Sequence, residues 1–129
     1  MTIDGALAIC SERFLTREEV AELCSTTSAD TNSALEALAC EVARRYLDGI
    51  TGFTPADTLM NDLFAHAALH SDLPPTFMRI YEAFDQGEYL HSGDDPGSDT
   101  EAVYTRPMLS ALVAEGLLPN TSLERTRER

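Results

Sequence analysis

Helix-start signals recur along this sequence, and each precedes apolar residues at helical spacing. In the stretch TREEV, Thr16 lies three residues before Glu19, which is the spacing of a capping box. Ser33 and Glu36 repeat this spacing, and Gly49 follows at a position where a left-handed glycine can end the helix. Between Ser33 and Gly49, the apolar residues at helical spacing are Leu35, Leu38, Ala39, Val42 and Tyr46. Because no alternating run is long enough for a strand, the sequence predicts an all-α fold.

The remaining helices are predicted from the same signals. The first carries an apolar stripe made of Ile3, Leu7, Cys10 and Phe14. Thr54 and Pro55 are typical of the N-cap and first residue of a helix that runs to about His70. A further helix ends at Gly87, and Pro107 lies near the start of the last one.

The length of the chain, 129 residues, fits one domain. Apolar residues are spread along it, except in the polar and charged last ten residues. We therefore expect about six helices around one core within residues 1–119, with an acidic loop before the last helices. Residues 120–129 form a charged C-terminal tail to which we assign no function.

The charge balance limits the choice of partner. The chain has 22 Asp and Glu residues against nine arginines and no lysine, which gives a net charge of −13. Such a field repels nucleic-acid phosphates and anionic membranes, and it favours encounter with a basic protein or a cation. The three cysteines include no C-x-x-C pair, there is no signal-peptide pattern, and no apolar run reaches the roughly 18 residues of a membrane span. We expect a cytoplasmic protein without a nucleic-acid or membrane partner.

Residues 81–99, YEAFDQGEYLHSGDDPGSD, combine many acids with aromatic side chains and contain neither Arg nor Lys. Pro96 and Gly97 predict a loop within this stretch. Rings beside carboxylates are typical of a docking face for a basic protein, because rings provide anchors and carboxylates provide steering and ion pairs. A solvated loop explains the same composition equally well. We name residues 85–101 the acidic segment. The candidate partner-binding residues are Tyr81, Asp85, Glu88, Tyr89, Asp94, Asp95, Asp99 and Glu101.

Within that stretch, EYLHSGDDPGS resembles the Tyr-Pro and Asp-Asp-Ser-Pro recognition segment of immunity proteins that neutralise nuclease colicins. Those proteins are small, acidic helical bundles, so the resemblance implies an inhibitor rather than an enzyme. It covers residues 88–98 only, and the immunity proteins are shorter than this chain. Tyr89, Leu90 and His91 stand where the recognition segment has Tyr-Tyr-Pro.

A second local resemblance concerns DNA binding. The stretch FLTREEVAELC resembles the first helix of many helix-turn-helix DNA readers. The second helix of such a reader presents basic or amide side chains to the groove, whereas the following stretch, STTSADTNSALEALACE, has acids and no Arg or Lys. DNA binding is therefore not predicted.

Asp62, His66 and His70 lie at spacing i, i+4, i+8, which places three possible zinc or iron ligands along one line of a helix. The alternative is packed or capping histidines, because the line runs at the edge of the apolar stripe that contains Leu59 and Leu63. No fourth ligand is specified, and no H-E-x-x-H pattern occurs. The metal site remains the alternative hypothesis.

Signatures of catalysis are absent from the sequence. It contains no G-x-S-x-G, glycine-rich phosphate loop or S-x-x-K pattern, and the acids after Asp94 are out of phase for a calcium loop. Cys10 and Cys40 fall on apolar stripes, where a thiol behaves as a small hydrophobic group. We therefore predict no catalytic residue and no cofactor.

Together these patterns predict a non-enzymatic acidic interaction protein, of inhibitor or immunity type, that binds a basic protein through residues 85–101. Two alternatives stay open. One is a small metal-binding enzyme or sensor that uses Asp62, His66 and His70, and the other is a helical domain that forms a homodimer through its last helix.

Overall fold

The computed structural model describes residues 1–70 and 73–118, and the side chain of His70 lies outside this description. The described residues form six α-helices and no strand, so the predicted all-α fold is confirmed. The helices are α1 (Ile3–Cys10), α2 (Arg17–Thr27), α3 (Thr31–Leu47), α4 (Phe53–His70), α5 (Pro75–Gln86) and α6 (Arg106–Ala114), and a π-helical turn, Glu101–Thr105, leads directly into α6. The predicted tail, residues 120–129, lies outside the described residues.

The start of α2 follows the sequence signal, whereas the start of α3 lies earlier than predicted. The Thr16 hydroxyl accepts the Glu19 amide at 3.1 Å, and the Glu19 carboxylate accepts the Thr16 amide at 2.8 Å, which completes the capping box. Helix α3 begins instead after Asp30, whose carboxylate accepts the Ser33 amide at 3.0 Å and the Ser33 hydroxyl at 2.6 Å. Ser33 is thus in the first turn, and the predicted cap at this residue was wrong.

Helix α4 also begins earlier than its signal. Its first residue is Phe53, one position before the predicted cap Thr54. The Gly52 carbonyl accepts the Ala56 amide at 3.4 Å, so the first helical hydrogen bond already spans Pro55. Pro55 fits this place because a first-turn residue needs no amide hydrogen.

Two further expectations concern helix ends. Gly49 follows α3 with φ of 76°, as predicted for a left-handed terminating glycine. Helix α1, however, ends at Cys10, and Phe14 lies beyond it with 64% of its surface exposed, so the predicted stripe was too long. Leu15 is buried instead. Its amide donates to the Asp62 carboxylate on α4 at 2.8 Å, and this hydrogen bond holds the chain after α1 close to that helix.

The core lies where α3, α4 and α5 pack together, with α1 and α2 on α4 and α3, and α6 on α5 and α3. Fully burying one large apolar side chain stabilises a fold by about 1.5–3 kcal/mol. The largest fully buried side chains of α3, α4 and α5 include Leu35, Leu59, Met60, Leu63, Phe77, Ile80 and Phe84, and α6 adds Leu109. None of the helices in residues 1–70 and 73–118 has both the length and the apolar character to cross a bilayer.

The three cysteines are buried and free, which confirms the prediction of buried thiols. Burial raises the pKa of Cys10 to about 12, with a further contribution from the neighbouring Asp62 carboxylate. Burial also raises the pKa of Cys40 to about 11. Because the thiolate is the nucleophilic form, these cysteines are poor nucleophiles at neutral pH.

Candidate functional site

The acidic segment and the π-helical turn after it lie between α5 and α6, and two hydroxyl groups tie them to the end of α5. The Thr100 hydroxyl donates to the Gly87 carbonyl at 2.6 Å. The fully buried Thr105 hydroxyl donates to the Ala83 carbonyl at 2.8 Å. Both bonds bring the far end of the segment back to the place where it leaves α5, so residues between them form a closed loop.

Inside this loop, three aromatic rings contact one another in a row, each tilted against the next. The ring centroids of Tyr89 and His91 lie 4.4 Å apart with the planes 31° apart, and those of His91 and Tyr104 lie 4.1 Å apart with the planes 45° apart. The His91 Nε2 atom lies 2.9 Å from the Gln86 carbonyl oxygen, which is a hydrogen-bond acceptor, so this nitrogen carries a proton. We name Tyr89, His91 and Tyr104 the ring cluster.

The Asp94 carboxylate connects two residues of the ring cluster by hydrogen bonds. Its carboxylate accepts the His91 amide at 2.8 Å and the Tyr104 hydroxyl at 2.8 Å. These hydrogen bonds stabilise the charged form, so the pKa of Asp94 is lowered, first by the His91 amide and then by the Tyr104 hydroxyl. Asp94, which the sequence assigns to partner binding, is therefore engaged inside the chain.

The acids at the end of the segment are also engaged. Asp99 accepts the amides of Glu101 and Ala102 at 3.1 and 3.3 Å, and Glu101 accepts the Tyr46 hydroxyl at 2.6 Å. The Arg106 guanidinium lies 3.8 Å from the Asp99 carboxylate and 3.7 Å from that of Glu101. The same guanidinium sits over the Tyr46 ring, 5.9 Å from its centroid. One guanidinium thus offsets part of the charge of two carboxylates at this end of the segment.

At the other end, Glu88 meets a carboxyl group that sequence analysis missed. Asp57 on α4 forms a hydrogen bond with Glu88, and burial together with this bond and the Asp85 charge raises the pKa of Asp57 to about 8. The two carboxyl groups therefore bind a proton more strongly than an isolated Asp does, and Glu88 also accepts the Asn61 amide at 3.2 Å. The cleft around the pair is lined by Phe53, Thr54 and Gly87 as well. Because Asp57 and Glu88 are 31 positions apart, no local pattern links them.

Four of the candidate residues are exposed, namely Glu88, Tyr89, Asp95 and Asp99. The side chains of two of them form no hydrogen bond within the described residues. Asp95 is exposed, and within the described part of the chain its carboxylate has no hydrogen bond or ion pair. Tyr89 is 48% exposed, and its neighbour Leu90 is 46% exposed. Tyr81 differs from Tyr89, because its ring stacks on Phe64 with centroids 4.1 Å apart and is half-buried. Tyr81 is therefore a packing residue.

Comparisons with protein-family models, with curated proteins and with solved structures found no match. The function of the acidic segment therefore has to be inferred from its own contacts and charge.

The three predicted metal ligands are described only in part. The Asp62 carboxylate accepts the Leu15 amide at 2.8 Å and the Cys10 thiol at 3.6 Å, so it already serves the junction between α1 and α2. His66 is half-buried, and the side chain of His70 lies outside the described residues. Within the part that the structure describes, no group of three or more His, Cys, Asp or Glu side chains is arranged to hold a metal ion. The complete triplet stays a prediction.

Proposed function

We propose that this chain is a cytoplasmic, non-enzymatic acidic interaction protein, of inhibitor or immunity type, which binds a basic protein partner through the acidic segment. The observation that carries the proposal is accessible, unneutralised charge on a loop held by the chain's own hydrogen bonds. The Asp95 carboxylate has no hydrogen bond or ion pair within the described residues, whereas the carboxylate of Asp94 beside it accepts hydrogen bonds that hold the loop. A loop ordered before binding loses less conformational entropy when a partner docks.

The contacts divide the candidate residues into two roles. Glu88, Asp94, Asp99 and Glu101 shape the loop, because each accepts hydrogen bonds from the chain. Asp95 is exposed and supplies charge to the partner, and the exposed ring of Tyr89 is the candidate anchor. The net charge of −13 adds long-range steering of a basic protein towards this face.

The test begins with the partner itself. The untagged chain is isolated gently at low salt from the cell that makes it and is weighed by native mass spectrometry. The expected result is a complex that dissociates at high salt and releases a basic protein. A species of twice the chain mass would favour the homodimer alternative, and a metal-sized mass increment would favour the Asp62, His66 and His70 alternative.

The affinities of variants for the released partner then test whether the acidic segment is the binding face. The variant Asp95→Asn is expected to bind several-fold more weakly, with a flatter salt dependence, because an exposed charge of the contact is lost. The matched control Glu12→Gln removes the same charge from an exposed acid near α1. Equal losses in the two variants would mean that net charge alone drives binding and would overturn the assignment of the acidic segment.

A further inference from the structure

We infer that a cleft between α2 and α4 binds a free α-amino acid with an apolar side chain of about the size of leucine. We name this cleft the α2–α4 cleft. It shares no residue with the acidic segment, so the inference is independent of the proposed function. The residues that line it include Leu15, Arg17, Val20, Asp62, His66 and Leu69.

The size of the α2–α4 cleft suits a small ligand with an apolar body. Its volume is about 170 Å³, and a cavity of roughly 150 Å³ is enough to hold benzene. Leu15, Val20 and Leu69 supply apolar wall. Leu69 is 61% exposed, which is a large fraction for a leucine, and a ligand in the cleft would cover part of this side chain.

Arg17 supplies an unpaired positive charge to the cleft. It is the first residue of α2, it is exposed, and it has no hydrogen bond or ion pair from its side chain within the described residues. By contrast, Arg13, Arg45, Arg79 and Arg106 are each paired with at least one carboxylate. The guanidinium of Arg17 is therefore available to a carboxylate from outside the chain, which it can bind through two parallel N–H groups.

Asp62 supplies the opposite charge, and only one of its carboxylate oxygens is in use. The Oδ2 atom accepts the Leu15 amide at 2.8 Å and the Cys10 thiol at 3.6 Å, which fixes the orientation of the carboxylate. The Oδ1 atom accepts no hydrogen bond from the residues that the structure describes. Burial raises the pKa of Asp62, because it removes water from the charged form. An ammonium group bound at Oδ1 would replace part of this lost solvation.

Two opposite charges that line one cleft without pairing with each other favour a ligand that carries both. A carboxylate without an amine would meet Asp62, and an amine without a carboxylate would meet Arg17, so in each case like charges would face each other. A zwitterion satisfies both groups. Because it has no net charge, it is also not repelled by the net charge of −13 on the chain. An apolar α-amino acid combines these two charges with a side chain that fits the apolar wall.

The test compares L-leucine with two analogues that each lack one charged group, 4-methylpentanoate and 3-methylbutylamine. Each compound is titrated into the full-length chain and followed by amide chemical shifts, with EDTA present so that no metal ion can mediate the contact. L-leucine is expected to bind with a Kd of about 1 mM or lower and to shift amides of residues 15–20 and 62–69. Each analogue is expected to bind at least about tenfold more weakly, because one charge of the cleft then stays unpaired.

Two pairs of variants locate the binding site. Arg17→Gln is expected to weaken L-leucine binding by about tenfold, whereas Arg79→Gln, which removes the same charge from an exposed arginine of α5, should leave the affinity unchanged. Ala65→Leu enlarges a side chain that lines the cleft and is expected to abolish binding. Ala68→Leu is its control, because Ala68 is exposed on α4 and is not among the lining residues. Amide spectra of each variant establish that the fold is retained.

Three results would each overturn the inference. The first is that L-leucine at about 10 mM, roughly ten times the expected Kd, shifts no amide of residues 15–20 and 62–69. The second is that either analogue binds as tightly as L-leucine, which would remove the need for both charges. The third is an equal loss in Arg17→Gln and Arg79→Gln, which would mean that net charge and not the cleft decides the affinity. None of these results bears on the binding of a basic protein by residues 85–101.

Discussion

Two neighbouring acids, Asp94 and Asp95, show how residues of one type take different roles. Asp94 accepts the His91 amide and the Tyr104 hydroxyl and so keeps the loop folded, whereas Asp95 is exposed. A change of both residues together would therefore mix loss of loop structure with loss of contact charge. For this reason the binding test changes Asp95 alone and leaves Asp94 and Glu88 intact.

A single close contact explains why residue 87 is glycine. A Cβ atom at this position would lie 2.0 Å from the Thr105 hydroxyl oxygen, far inside van der Waals contact. Its φ of −80° is open to any residue, so the need for glycine comes from this close approach and not from the backbone angle. Thr105 in turn ties the π-helical turn to α5 through the Ala83 carbonyl.

Gly87→Ala is expected to destabilise the fold by about 1–3 kcal/mol, since overpacking displaces the buried Thr105 hydroxyl from its hydrogen bond. The free energy of unfolding is measured by urea denaturation. Gly97→Ala is the control, because a Cβ atom there meets nothing within 4 Å, and its expected effect lies within about 0.5 kcal/mol. Equal effects in the two variants would show that the contact between Gly87 and Thr105 is not tight.

At the level of elements, α4 and the acidic segment are joined by a pair of carboxyl groups. Burial raises the pKa of Asp57 on α4, and its hydrogen bond with Glu88 and the charges of Glu88 and of Asp85 on α5 act in the same direction. Loss of the proton that the pair binds would leave two carboxylates facing each other with a third nearby. The attachment of the segment to α4 therefore depends on pH.

The pKa of Asp57 is raised from its ordinary value of 3.8 to about 8 in the folded chain. Between these two values the folded state binds more protons than the unfolded state, so the contribution of Asp57 to stability is complete below the lower value and is lost as the pH rises through the upper one. We expect Asp57→Asn, which cannot ionise, to be less sensitive than the parent chain to a rise from about pH 5.5 to about pH 9.

This pH dependence is measured as the melting temperature, and the expected difference between Asp57→Asn and the parent chain is a few degrees, because about 1 kcal/mol shifts the Tm of such a domain by roughly 3–5 °C. Asp95→Asn serves as the control, since it removes an exposed acid without a bonded neighbour in the described residues. A parallel response of Asp57→Asn and the parent chain would contradict proton sharing between Asp57 and Glu88.

For the molecule as a whole, charge is the dominant property. With a net charge of −13 on 129 residues, the compact state carries strong self-repulsion. Internal ion pairs relieve part of it, among them Arg13 with Glu19 at 2.9 Å and Arg79 with Glu115 at 2.6 Å. These pairs are exposed and therefore screened by salt.

Sodium chloride is expected to raise the melting temperature, because an increase from about 0.02 M to about 0.5 M shortens the screening length from roughly 20 Å to roughly 4 Å. Repulsion among many acids weakens more than the few ion pairs do. The measurement is scanning calorimetry, with Glu12→Gln/Glu36→Gln as a less charged reference that should gain less. A melting temperature that falls with salt would mean that surface ion pairs outweigh the repulsion.

The sequence by itself determined the helices, because caps and apolar spacing act within a few residues. Thr16 with Glu19, Gly49 at the end of α3 and Pro107 at the start of α6 all act locally, and the structure agrees with each. The starts of α3 and α4 were misplaced by at most one turn, since Asp30 and Gly52 compete with the nearby signals at Ser33 and Thr54.

Only the tertiary structure decided which acids of residues 85–101 are open to a partner. Asp57 on α4 forms a hydrogen bond with Glu88. Glu101 accepts a hydrogen bond from Tyr46 and forms an ion pair with Arg106. Such contacts join positions far apart in the chain, and they depend on how α3, α4 and α5 pack. Composition gives only the number of acids. Desolvation and hydrogen bonding make one carboxylate differ from another, and both effects arise only when the chain has folded.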